Sequence, residues 1–138
     1  MAKISAFKID SKARQEGEWV RLGGEFEDIE IHTRALTDAY HDAVANKLRK
    51  AARGFGGDEN QVPTAHRRKI NVDCLIAHAL LEPAVRNLKD DQGNDVTHGQ
   101  FLDMLRDPDY LPLVTACFMA AARVGTMVEQ DVEDAEGN

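Results

Sequence analysis

A chain of 138 residues that is 43 % hydrophobic carries enough apolar side chain for one core, and no proline-rich or serine-rich linker divides it, so a single domain over 1–128 is expected. Its 17 Lys and Arg against 24 Asp and Glu leave a net charge of −7, the wrong sign for a protein whose main task is to bind nucleic acid or an acidic membrane. The opening MAKISAFKID has no signal-peptide core, and no apolar run approaches the length of a transmembrane helix, which predicts a cytosolic protein.

In EGEWVRLGGEFEDIEIHTRAL (16–36), Trp19, Arg21 and Gly23 alternate with Val20 and Leu22, while Ile29, Ile31 and Thr33 alternate with Asp28, Glu30 and His32. With Gly23-Gly24 as a permissive turn, this predicts a β-hairpin over about 18–34 with one apolar face. A lone hairpin is only marginally stable in water, so that face must lie on helices of the same chain, on a neighbouring subunit or on a partner.

Tyr40, Val44, Leu48 and Ala51 recur at helical spacing, Thr37 and Asp38 offer caps, and Gly54, Gly56 and Gly57 end the pattern, giving a helix over about 38–53. GFGGDENQVP then has turn composition and predicts a mobile loop. A second helix is expected over about 64–82, behind Pro63 and a Thr64 cap. Its set of Ile70, Val72, Cys74, Leu75, Ile76, Ala79, Leu80 and Leu81 is apolar nearly all round, which places it in the middle of a bundle, and Pro83 ends or kinks it.

The run Asp90 to Asn94 reads as a tight turn or a second small hairpin. Thr97 then caps a short helix over about 97–106, Pro108 breaks it, and a last helix follows over about 110–128 with Leu113, Ala116, Cys117, Ala120, Ala121, Val124 and Val128 on one broad face. The final stretch, 129–138, has acids and no base and predicts a solvated flexible tail, which either keeps the protein soluble or recruits a basic partner. The expected fold is thus mainly α, a compact helical domain of about four helices with a small N-terminal β-hairpin.

Chemistry finds little to hold on to. Asp38, His41 and Asp42 share a helix turn, His78 precedes Glu82 by four residues, and Asp95 lies near His98, but none completes a metal or acid-base set. KDDQGND fails as a calcium loop, because Leu88 would fill the first ligand position and Gly99 the twelfth. GFGGD follows a helix, not a strand, and lacks the Lys-Ser/Thr pair of a phosphate loop. Cys74 and Cys117 sit among aliphatic residues, which predicts buried, reduced thiols with no disulfide between them. A non-enzymatic protein without metal or cofactor is expected.

One pattern opposes the acidic whole: Lys47, Arg49, Lys50 and Arg53 close the first helix, and Arg67, Arg68 and Lys69 open the second. Cations suit a helix C-terminus but not an N-terminus, so the cluster is a candidate contact for an acidic segment: the chain's own tail, a neighbouring subunit or a partner.

The order GEWVRL, DIEIHTRAL, DAYHDAVANKLRK, INVDCLIAHALLEP, DDQGNDV, GQFLDML and DPDYLPLV resembles the small tail assembly chaperones of long-tailed bacteriophages and related prophage-type particles, over about 17–128. The resemblance implies a protein that holds the aggregation-prone tape measure protein in the host cytoplasm, helps bring tail tube subunits to it, and is absent from the mature particle. It also implies that a longer form made by ribosomal frameshifting would extend the chain near its C-terminus. On that reading Trp19, Ile29 and Ile31 of the hairpin, the bases Lys47, Arg49, Lys50, Arg53, Arg67 and Arg68, Leu113 of the last helix, and Glu133 and Asp134 of the tail are candidates for partner binding. The hairpin either caps the core or offers its outer edge to a client or to a second copy in a homo-oligomer. Rival classes are a permanent tail or head-tail joining component and a small acidic regulatory phage protein.

Overall fold

In the computed structural model the described residues are 3–126, and they form five α-helices and one three-stranded antiparallel sheet. A 3-10 turn at Ile4–Phe7 leads to α1 (Ser11–Glu16), then β1 (Glu18–Arg21) and β2 (Glu30–Thr33). After these come α2 (Asp38–Ala52), α3 (Thr64–His78), β3 (Leu80–Arg86), α4 (His98–Arg106) and α5 (Leu111–Arg123).

The mainly helical fold with a small sheet is as expected, but the hairpin is not alone. β2 is the central strand: Val20 pairs with Ile31 on one side, and Val85 pairs with Ile31 on the other. β3 is built from residues expected to end the second helix, so that helix stops at His78 instead of about 82, and Leu80 pairs with Thr33. Pro83 explains the switch, since it cannot donate a helix hydrogen bond and is tolerated in an edge strand at an irregularity. It lies where four residues, Leu81 to Ala84, face His32 alone. The amide of Ala84 donates to Nδ1 of His98 at 3.0 Å, closing this edge of the sheet with the first residue of α4.

The period-two alternation sorts the sheet into two faces. Ile31, Thr33, Leu80 and Val85 are buried against the helices. Their core also takes in Phe101 and Leu105 of α4, Cys74 and Leu75 of α3, and Leu113, Val114 and Cys117 of α5. Each large member that leaves water there contributes roughly 1.5–3 kcal/mol. α3 contacts α2, α4 and β3, the central position its apolar circumference predicts, and α5 packs beneath β1 and β2. Tyr40 of α2 meets Phe118 of α5 edge to face, with centroids 6.3 Å apart.

The connections have local causes. Residues 54–63, expected as a mobile loop, carry two 3-10 turns, Arg53–Phe55 and Glu59–Gln61, and the Val62 side chain is buried. Asp90 Oδ1 accepts from the amides of Gln92 and Asn94, and Lys89 bridges to Asp95, which makes the small second hairpin. Thr97 and Gln100 form a reciprocal capping box on α4. The last helix ends at Arg123 instead of about 128, because Gly125 takes a left-handed φ of +78° and ties the chain to its N-terminal part. Its carbonyl accepts from the Asp10 amide at 2.9 Å, its amide donates to Glu18 Oε1 at 3.2 Å, and Arg14 donates to the Val124 carbonyl at 3.1 Å.

Candidate partner-binding site

The residues predicted to bind a partner divide sharply in space. Trp19 lies on the outer face of the sheet, away from the helices, opposite His32 in the pairing register. The two rings stack at 4.8 Å with planes 13° apart, and the Arg86 guanidinium sits 4.2 Å over the indole while its fork pairs with Glu30 across the strands. Trp19 therefore does not belong to the apolar face that covers the helical body. Ile31 is completely buried, Leu113 is 5 % exposed, and Ile29 packs against the core, so the first two offer a partner no surface. The edges of the sheet are also engaged, β3 by His98 and β1 by Arg123, whose guanidinium donates to the Arg21 carbonyl at 2.7 Å. Glu133, Asp134 and the rest of 129–138 lie outside the described residues.

Of the bases, Arg67 is structural: its guanidinium donates to the carbonyls of Val62 and Glu59 and pins the loop before α3. Arg49 bonds Asn46 on its own helix, and Arg53 starts the first of the 3-10 turns. Lys47, Lys50 and Lys69, in contrast, come together along the cleft between α2 and α3. On the other side of α3 a groove of about 250 Å³ opens toward the junction of α4 and α5. Val72, Leu105, Leu111 and Val114 supply its apolar lining, and Arg68, Lys69 and Arg106 stand among its charged residues. Arg106 is paired with Asp73 at 3.5 Å.

A further surface escaped sequence reasoning. Ile4, Phe7 and Ile9 are 84 %, 76 % and 54 % exposed, and Phe7 and Ile9 lie beside Ala122 and Arg123 at the end of α5. Met119, one turn earlier on the same helix, is 59 % exposed. The signal was three large apolar residues in a short charged stretch, KISAFKID, without a helical or strand period to absorb them.

Two of the titratable candidates, Asp95 and His98, serve the fold. Asp95 holds Lys89 at 2.6 Å, and His98 accepts from Ala84. Among the described residues no three His, Cys, Asp or Glu side chains converge on a common point. Cys74 and Cys117 are buried free thiols; burial raises both, Cys117 to about 12, which keeps it a protonated, unreactive hydrophobe. No described helix is long and apolar enough to cross a membrane. No family model, curated protein or solved structure matches the chain.

Proposed function

We propose that the protein is a non-enzymatic tail assembly chaperone of a long-tailed bacteriophage or prophage-type particle. In this role it binds the tape measure protein in the host cytoplasm, helps bring tail tube subunits to it, and is left out of the mature particle. The observation that carries the reading is the exposure of Phe7 and Ile9 beside the end of α5, with Ile4 on the same N-terminal segment and Met119 on the same helix also left in water. Clustered exposed apolar side chains mark interaction sites, and a client whose helices carry apolar stripes is the chemistry such a surface covers.

Co-expression with the tape measure protein encoded beside it tests the proposal. The client is expected to be soluble and to co-elute with the wild-type chain. The double variant Phe7→Asp, Met119→Asp should lose about tenfold in affinity, roughly 1.4 kcal/mol, with its melting temperature unchanged. Full co-purification with the double variant would remove this surface from the interaction. A client that stays insoluble, together with this chain in the mass spectrum of finished particles, would replace the chaperone by a permanent structural component.

A further inference from the structure

We infer that the groove between α3 and the α4–α5 junction is a docking site for the chain's own C-terminal segment, residues 127–138. That segment, MVEQDVEDAEGN, holds Glu129, Asp131, Glu133, Asp134 and Glu136 and no base, so five of the seven excess negative charges of the protein lie in its last twelve residues. Val128 and Val132, four residues apart, are apolar points within it. The groove is complementary on both counts: Val72, Leu105 and Val114 line it, Arg68 and Lys69 stand at its side, and of its two carboxylates Asp73 is paired with Arg106 while Asp107 accepts from the Asp109 amide. Lys69 also lines the adjoining cleft, where Lys47 and Lys50 continue the positive surface. Among the described residues these four bases have no ion-pair partner, in a protein whose total charge is negative. Cations gathered on two neighbouring helices repel one another, and an acidic segment relieves that repulsion while valines cover the apolar lining.

Reach permits the contact within one chain. Leu111, which lines the groove, opens α5, and the described chain ends three residues beyond that helix at Thr126. The helix spans about 20 Å at its rise per residue. Twelve extended residues cover up to about 40 Å. Tethering to the same chain holds the segment at an effective concentration near millimolar, so even weak individual contacts close the groove to other acidic segments until one displaces it. This device does not depend on the identity of the client.

Carbodiimide coupling, which joins a carboxylate directly to a touching lysine amine, reads the contact in the full-length chain by mass spectrometry. Links from Glu129, Asp131, Glu133, Asp134 or Glu136 to Lys69, Lys50 or Lys47 are expected to exceed by about fivefold those to Lys3, Lys8 or Lys12, which the same tether also brings within reach, Lys8 standing beside Thr126. They should fall by about as much in roughly 1 M salt, where screening extends to within a few ångströms. Arg68→Glu, an exposed change that leaves the reporter lysines in place, should weaken them similarly. In parallel, replacing the five acids by Gln and Asn should shift the amide resonances of residues 105–114. Links mainly to Lys3, Lys8 or Lys12, or resonances that do not move, would overturn the proposal. Links that join labelled to unlabelled chains in an isotope mixture would overturn it in favour of docking on a second copy.

Discussion

His32 shows how one side chain can be held by its neighbours without a single conventional bond. Its ring stacks on Trp19, and its Nδ1 is shut off from solvent without a hydrogen-bond partner. Burial lowers its proton affinity below the ordinary value of 6.5, and the charges of Arg86 and Arg34 lower it further. The unfolded chain therefore takes up a proton before the folded one does. Stability from this group is complete above about pH 6.5 and is lost as pH falls through the depressed folded value. Urea midpoints measured between about pH 7 and pH 5 should fall, and His32→Phe, which keeps the stack and removes the titration, should flatten that dependence. The alternation within each strand was legible from sequence, but the pairing register that sets Trp19 opposite His32 on the outer face was not. Nor was it legible that Arg86 would join them, because it arrives on a strand that local sequence assigned to a helix end.

At the scale of elements, helix starts were more legible than helix ends. Thr97 with Gln100 and Asp107 with Pro108 act within a few residues, and those boundaries lie where the sequence places them. The ends of α3 and α5 depend on distant partners: Leu80 leaves the helix to pair with Thr33, and Gly125 stops α5 while bonded to Asp10 and Glu18. Two glycines separate these effects. Gly93 has a φ of +83° with open space where a Cβ would stand, so Gly93→Ala should cost only the backbone penalty of about 1 kcal/mol. At Gly125 the added Cβ would also meet the Asp10 carbonyl at 2.8 Å and the Arg14 side chain. Gly125→Ala should therefore cost about 2–3 kcal/mol, and comparing the denaturant midpoints of the two variants measures the difference.

Across the whole molecule, two phenylalanines mark the division between what holds the fold and what faces outward. Phe101 is fully buried between helices and sheet, and Phe7 is 76 % exposed on the N-terminal segment. Phe101→Ala should cost about 3–5 kcal/mol through lost contacts and a residual cavity. Phe7→Asp should change stability by no more than about 0.5 kcal/mol. Chemical denaturation of both variants tests this, and a large loss from Phe7→Asp would mean that the segment is part of the core instead of a binding surface. The same division settles the fate of the candidate residues: Ile31 and Leu113 went to the core, Arg67 to a loop anchor, and Lys47, Lys50, Arg68 and Lys69 to the clefts beside α3.

The sequence by itself determined the helical majority, the strand alternation of β1 and β2, the capped start of α4 and the burial of both cysteines. These follow from periodicity and from side chains acting on backbone a few residues away. Only the tertiary structure decided that residues 80–86 form a third strand, that Trp19 faces outward, and that the bases of α2 and α3 meet along one cleft while Arg67 turns to the backbone. A strand pairing, a groove and a salt-bridge partner join residues tens of positions apart, and a local pattern carries no record of which distant segment will satisfy it.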